Sequence, residues 1–485
     1  MKILLASSEA IPYSKTGGLA DMVGAMAKFL ARAGHQVGLV TPLYGGVRER
    51  FPGLQLLDWK LDLPLGSQRV KGRVWIDQPA PRLTVYLIEQ AAFFERSDLY
   101  QERGVDYPDN PERFIFLSKC AAHLARYLPW RPALLHLHDW QTAPAALLVA
   151  DEKARDGWFP APPTCLTIHN LSYQGNCPAA KFALTNLPGS YFQPDGVEFY
   201  GGLNCLKAGV FFADILTTVS PRYAREITTE GYGCGLDGVL RRRQNALHGI
   251  LNGVDYDEWK TEGNPFLPHS YSALDLSGKE ANKAALRREL GLPNPPDTPL
   301  FGTVTRLTEQ KGVDIQLAAL QEMLAADMQF VLLGSGHHDY ERGYRKLAER
   351  FPSKCAVTIG FDTGLSHRIE AGCDFYLMPS RFEPCGLNQM YSLRYGTPPI
   401  VRVTGGLDDS VVDITEDANR ADGIKFEEYS VRALAKAIRK ALALYADKAL
   451  LEHYRRNGMA ADFSWERTAQ AYAGLYKQLL GAKKL

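Results

Sequence analysis

The chain has 485 residues, 46% of them apolar and 22% charged, and its 55 Lys+Arg against 54 Asp+Glu give a formal net charge of +1. These are the proportions of a soluble globular protein with ample core, which excludes disordered and collagen-like classes, and the length favours two large domains or about three smaller ones. The basic excess that marks nucleic-acid and membrane-surface proteins is missing, the short Lys483-Lys484 pair being the one terminal basic cluster, so neither kind of partner is expected.

From the N-terminus, residues 2–6 read as a strand that runs straight into the polar Ser7-Ser8-Glu9, leaving no room for a targeting peptide, and a cytoplasmic protein is expected. Further strands are predicted at 36–40, 83–87, 134–138, 165–168 and 215–219, with helices at 19–33, 112–127 and 203–213 among them. Such alternation is the signature of a parallel sheet covered by helices. Residues 54–75 alternate like an antiparallel excursion turned at Leu65-Gly66-Ser67 and read as an insertion. No run approaches the roughly 18 apolar residues of a membrane helix, 143–150 being among the longest. The strand scheme repeats at 301–305, 330–333, 356–360, 375–378 and 399–403, which predicts a second doubly wound α/β domain. Prolines at 265, 268, 293, 295 and 296 fit either a linker or loops just inside that domain. With the hinge placed near 246–252, the domains are expected to span 1–248 and 249–461. A final helix within 462–485 places Trp465, Ala469, Tyr472, Tyr476 and Leu479 on one apolar face. The eight cysteines contain no Cys-x-x-Cys pair and read as reduced thiols, with neither a disulfide framework nor a zinc site.

One internal echo carries chemistry. Thr16-Gly17-Gly18-Leu19-Ala20-Asp21 and Thr404-Gly405-Gly406-Leu407-Asp408-Asp409 each follow a strand or its loop and open a helix. Paired glycines there let backbone N–H groups approach an anion with help from the helix dipole, and Lys15 adds a full charge to the first copy. Neither copy is Gly-x-Gly-x-x-Gly or a Walker loop, which disfavours a dinucleotide site or a nucleoside-triphosphate motor. Arg306 and Lys311 flank a loop at the carboxyl end of the 301–305 strand, where both can turn toward a pyrophosphate. His136 and His138 share one face of their strand, with Asp139 following, but no partner set with metal-ligand spacing appears downstream. His136 is read as structural. His169-Asn170 ends the next strand, so two polar clusters converge at one sheet edge. Glu383, in Arg381-Phe382-Glu383-Pro384-Cys385-Gly386-Leu387, fits either a sugar-hydroxyl acceptor or a charge favoured by a helix N-terminus.

Taken together, Ser8-Glu9, Lys15 through Asp21, His138-Asp139-Trp140, His169-Asn170, Asn252-Gly253-Val254-Asp255, Arg306 through Gly312, Glu383 through Leu387 and Thr404 through Leu407 resemble the bacterial glycogen and plant starch synthases, retaining glucosyltransferases of the GT-B fold. The resemblance implies two Rossmann-like doubly wound domains facing an interdomain cleft, with ADP-glucose held mainly by the second and an α-1,4-glucan (glycogen) acceptor mainly by the first. It implies no metal and no cofactor, and a final helix that crosses back to the first domain. By the same resemblance Arg306 and Lys311 neutralise the pyrophosphate, assisted by Lys15 and the Gly17-Gly18 and Gly405-Gly406 backbones. His169, Asp139 and Asn252 surround the donor glucose and Glu383 meets its hydroxyls. Asp21, Asn170, Phe361, Cys385, Gly386, Leu387 and Thr404 complete the expected substrate-binding set. Two positions depart from the family pattern: Phe361 stands where relatives often have tyrosine near the base, and Tyr391 stands where many retaining GT-B enzymes have a second glutamate.

Transfer with retention needs a glucosyl cation-like transition state, a stabilised leaving pyrophosphate and an acceptor hydroxyl on the same face. Cationic side chains and oriented amides meet the leaving group, so metal independence is expected. No carboxylate is assignable as a nucleophile, which favours same-face displacement with the leaving phosphate taking the acceptor proton. Domain closure around the substrates is expected to exclude water. Competing readings are a catalytically silent glycan- or nucleotide-binding protein, a transferase using another donor such as UDP-glucose, and a phosphorylase or sugar-nucleotide epimerase on similar architecture.

Overall fold

The alternating strand and helix periods produce two large sheets, one mostly and one wholly parallel, each in its own structural unit. The computed structural model describes residues 1–157 and 160–482, so Lys483-Lys484 lies outside the described residues. The first unit comprises Met1–Val219, Ala224–Gly253 and Trp465–Leu485, and the second Ser220–Tyr223 and Val254–Ser464.

The first unit is built on a nine-stranded sheet in the spatial order Leu247–Gly249, Ile215–Thr218, Thr164–Ile168, Leu134–His138, Lys2–Ala6, Gln36–Pro42, Leu83–Glu89, Gln68–Ala80, Gln55–Leu65. The first seven run parallel, and the last two form an antiparallel hairpin turned at Gly66-Ser67. The hairpin is the excursion read from the alternation at 54–75. Its continuation to Ala80 is a difference, since the second arm pairs with Leu83–Glu89 and so cannot end at Trp75. Chain order reverses between Lys2–Ala6 and Leu134–His138, the switch point at whose carboxyl edge ligands of open α/β sheets bind. Helix Gly18–Arg32 buries Met22, Met26 and Phe29, spaced to share one face. The final helix, Trp465–Ala482, returns to this unit. Trp465 stacks near Phe29 with ring centroids 6.3 Å apart, Tyr472 and Tyr476 are fully buried, and the Tyr476 hydroxyl lies 2.7 Å from His136 Nδ1.

In the second unit six parallel strands lie in the order Cys355–Ile359, Gln329–Gly336, Leu300–Leu307, Phe375–Met378, Pro399–Arg402, Ile424–Phe426. This is the doubly wound order with its switch point between Leu300–Leu307 and Phe375–Met378. One face is packed by Phe301, Leu320, Phe330, Phe375, Leu377 and Ile438 among others. The prolines at 293, 295 and 296 precede the central strand inside this unit and are not a linker. Strand Leu247–Gly249 joins the first sheet, which carries the first unit on to Gly253 rather than 248. Three residues are too short to show an alternation, and the same holds for Ile424–Phe426.

Candidate active site

At the carboxyl edge of the first sheet the Lys15–Gly18 loop is held by Glu9, a carboxylate 3% exposed. Glu9 accepts from the backbone N–H of Thr16, from the Thr16 hydroxyl at 2.7 Å and from the Tyr100 hydroxyl at 2.6 Å. These charge-assisted bonds fix the loop from below. Above it the space is open, because a side-chain carbon added at Gly17 or Gly18 would meet nothing within 4 Å. Lys15 is exposed and paired with Asp21 at 2.7 Å. An exposed pair of this kind adds little stability, so its ammonium is free to exchange partners at small cost.

The next two strands bring a second polar cluster together. Asp139 takes a left-handed conformation, φ 55°, at the end of Leu134–His138 and accepts from the backbone N–H groups of His169, at 2.7 Å, and Asn170. Burial pushes its carboxyl up to about 7 against those two N–H groups, which hold it down. Burial also pushes His169 down to about 3 and His138 well below the ordinary histidine value, so both rings are neutral near pH 7. His138 Nδ1 lies 3.1 Å from His169 Nε2, and His138 Nε2 is buried without a partner among the described residues. Placing the His138 proton on Nδ1 avoids an orphaned buried N–H. His169 then accepts at Nε2 and carries its own proton on Nδ1, a donor for a ligand hydroxyl. His136 is structural, with its ring nitrogens 2.7 Å from the Tyr476 hydroxyl and 2.6 Å from the Thr167 hydroxyl. Asn252, nearly buried, leaves Oδ1 without a partner among the described residues.

In the second unit the central strand Leu300–Leu307 is clamped at its carboxyl end by Tyr376 and Asn388, which bond the backbone of Val304 at 2.8 to 3.0 Å. Two residues on, Arg306 is exposed, and its guanidinium has no partner among the described residues. Gly312 (φ 70°) ends the turn Glu309–Lys311, and a side-chain carbon there would stand 2.0 Å from the Pro379 carbonyl oxygen. Only glycine allows that approach, which sets Lys311 against Glu383 at 2.6 Å. Ser380 also donates to Glu383 Oε2, at 3.1 Å, leaving Oε1 to accept from a ligand.

The second glycine pair works differently from the first. A side-chain carbon at Gly405 would lie 1.9 Å from the Glu383 carbonyl oxygen and one at Gly406 2.0 Å from that of Cys385. The Gly406 N–H is already given to the carbonyls of Glu383 and Pro384, both at 3.1 Å. Glycine is therefore required here to pack Thr404 through Leu407 onto the Glu383–Leu387 turn, in which Cys385 is buried and Gly386 has φ 71°. Phe361 follows the edge strand Cys355–Ile359 and is 87% exposed, its ring face open to stacking. Tyr391 lies parallel to Trp259 with centroids 3.7 Å apart, an aromatic packing role in place of a carboxylate.

Each unit thus gathers its own share of the expected residues: Lys15 to Asp21, Asp139, His169, Asn170 and Asn252 in the first, and Arg306, Lys311, Phe361, Glu383 to Leu387 and Thr404 to Gly406 in the second. Sequence reasoning left out Glu9, Tyr100, His138 and Ser380 as site residues. Glu9 and His138 stand inside segments that carry the family resemblance, and His138 also shares one strand face with His136 by its period-two spacing, but neither was given a role, and nothing in the sequence pointed to Tyr100 or Ser380. Among the described residues, no group of three or more His, Cys, Asp or Glu side chains is placed to hold a metal ion. Nor is any helix among them long and apolar enough to cross a membrane.

Residues 2–242 match the family described as the starch synthase catalytic domain, and residues 285–460 match glycosyl transferases group 1. The chain is 49% identical to a glycogen synthase of Anaeromyxobacter sp. (strain Fw109-5) over 99% of both chains. It is 47% identical to that of Myxococcus xanthus (strain DK1622), over 99% of this chain and all of the other. Among solved structures it is similar to the catalytic domain of starch synthase IV from Arabidopsis thaliana bound to ADP and acarbose, with TM-score 0.89 and 34% identity over 99% of both chains.

Proposed function

The chain belongs to the glycogen synthase family of GT-B glycosyltransferases, and we propose that it transfers glucose from ADP-glucose to the non-reducing end of an α-1,4-glucan with retention of configuration. The observation that carries the donor side is an uncommitted Arg306 at the carboxyl end of the central strand, followed five residues on by Lys311 in the turn after the strand. Two cations there suit a leaving pyrophosphate, whose negative charge grows in the transition state. A donor bound beside them takes N–H bonds from Arg306 and Lys311. Glu383 accepts from glucose hydroxyls through Oε1, and the Phe361 ring stacks on the base.

In the first unit the open Gly17-Gly18 turn supplies oriented amides, and His169 offers its Nδ1 proton to a sugar hydroxyl. The leaving phosphate takes the acceptor proton in a same-face displacement, so no side chain need attack the anomeric carbon. The charges are met by this chain's own side chains, and turnover is accordingly independent of added metal. The ADP bound by the Arabidopsis relative supports the adenine nucleotide for this chain.

The test is incorporation of glucose from ADP-glucose and from UDP-glucose into glycogen, with chelator present and the product linkage determined. α-1,4 incorporation from ADP-glucose is expected. Preference for UDP-glucose would overturn the donor, inhibition by chelator would overturn metal independence, and no incorporation from either donor would overturn the reading.

A further inference from the structure

We propose that Tyr200 and Tyr173 of the first unit form a stacking platform for internal residues of an α-glucan chain. This subsite rests on the acceptor reading above and lies outside the residues assigned there. It starts from a strained turn. Strands Glu198–Phe199 and Gly202–Asn204 pair antiparallel with Phe199 opposite Gly202, which leaves Tyr200-Gly201 as a two-residue turn. Both residues have positive φ, 48° and 81°, as in turns that favour asparagine, aspartate and glycine. A bulky aromatic residue is disfavoured in that conformation. Burial does not compensate, because Tyr200 is 87% exposed. The ring is nevertheless held: it meets Phe199 edge-on with centroids 4.6 Å apart, and its Cε2 would lie 3.6 Å from a side-chain carbon at Gly235. An exposed ring kept in place at a conformational cost points to use by a ligand.

Tyr173, 57% exposed, stands on the loop that follows His169, its N–H donating to the Asn170 carbonyl at 3.2 Å. Gln174 ties this loop to the hairpin. Its Nε2 donates to the Cys234 carbonyl at 3.0 Å, next to Gly235, and its Oε1 accepts from Asn204 at 2.7 Å. The two rings therefore stand on adjoining, mutually bonded loops, one of them leading directly from the residue assigned to the sugar.

The occupant follows from chemistry. A glucosyl ring has an apolar face of C–H groups edged by hydroxyls, which suits a flat aromatic face carrying its own hydroxyl. A polymeric acceptor also continues past the reacting residue and needs surface for its inner residues. A protein partner would need an apolar area nearer 1,000 Å² than two separate rings provide.

Tyr200→Asn removes the ring and relieves the turn, so stability and binding should part company. We expect an unchanged or raised Tm, with maltoheptaose affinity by calorimetry and KM for glycogen each weakened about threefold to tenfold. KM for the donor should be unchanged, the loss should be larger for maltoheptaose than for maltose, and adding Tyr173→Ala should deepen it. A lowered Tm, or equal affinity and KM in the double variant, would overturn the proposal. Failure of the parent protein to bind maltoheptaose while it extends glycogen would overturn the subsite and leave the acceptor reading standing. Tyr200-dependent binding without any transfer would overturn that reading and support the subsite.

Discussion

Lys311 and Glu383 hold each other at 2.6 Å, whereas Arg306 holds nothing among the described residues, and the two cations should therefore respond differently to removal. Each replacement by alanine removes a charge-assisted bond to the donor, about 1.5 to 3 kcal/mol, or roughly tenfold to a few hundredfold in kcat/KM. Arg306→Ala should leave the thermal midpoint unchanged, because an exposed, unpartnered group contributes little to the fold. Lys311→Ala should lower it, because Glu383, 5% exposed, loses its counter-charge. Measuring both quantities for both variants checks this, and equal stability in the two would show that the pair does not support the fold. A second residue-scale prediction concerns His136, whose ring burial pushes down to about 3 from an ordinary 6.5. The folded value lies below the unfolded one, so as pH falls through 6.5 only the unfolded chain takes up the proton. Stability is lost at about 1.4 kcal/mol per pH unit until the folded ring titrates. His136→Gln lacks that proton, and its stability deficit against the parent should shrink between pH 8 and pH 5; a constant deficit by urea unfolding would contradict the assignment. At this scale the residues that the fold gathers at the two sheet edges were legible in the sequence, but the contacts that hold them were not. Tyr100 reaches Glu9 across 91 residues and His169 meets His138 across 31, pairings that only the folded sheet edge creates.

The two Thr-Gly-Gly-Leu segments look alike in sequence yet differ as elements. Both open helices, Gly18–Arg32 and Gly405–Ser410, but the first glycine pair faces open space and the second is pressed against the Glu383–Leu387 turn. Gly17→Ala is therefore expected to fold with a stability within about 0.5 kcal/mol of the parent, since φ −158° suits any residue. Its cost should fall on substrate KM, where an added methyl crowds the approach to the backbone. Gly406→Ala should instead destabilise by about 1 to 3 kcal/mol or more, because the new carbon would lie 2.0 Å from a carbonyl oxygen that cannot retreat without unpacking Cys385. Thermal midpoints and donor KM for the pair separate the two cases, and similar stability in both variants would contradict the packing account. Sequence spacing located both loops because glycine pairs after strands are conspicuous. It could not say which pair was empty above, since that depends on another segment arriving. The same limit explains the strands: those of four or more residues announced themselves by apolar character, while Leu247–Gly249 and Ile424–Phe426 exist by pairing with a neighbour already in place.

For the whole molecule, the instructive element is the last helix, whose apolar face at Trp465, Ala469, Tyr472 and Tyr476 was legible in its periodicity, while its return to the first unit was expected from the family resemblance alone. Periodicity reports that a face must be covered and is silent about what covers it. The chain leaves the first unit at Gly253, builds the second, and returns at Trp465, so the first unit is completed only by residues that follow the second in sequence. Burying an aromatic side chain contributes about 1.5 to 3 kcal/mol, and three such residues lie in this helix at 3% exposure or less. Their sum is comparable with the 5 to 15 kcal/mol that stabilises a typical domain. Ending the chain after Ser464 should therefore unfold the first unit and leave the second, whose core cluster draws on no residue beyond Tyr454. Hydrogen exchange resolved by segment reads this directly: protection should be lost across Lys2–Ala6 and Leu134–His138 and kept across Leu300–Leu307 and Phe375–Met378. Transfer should be abolished, although no residue removed is assigned to a substrate. If the donor is held as proposed by Arg306, Lys311 and Glu383, the shortened chain should still bind ADP, with its surviving transition raised by the nucleotide. Persistent protection of Lys2–Ala6 would show that the first unit is stable without its final helix, and loss of ADP binding from a folded second unit would move the donor site elsewhere.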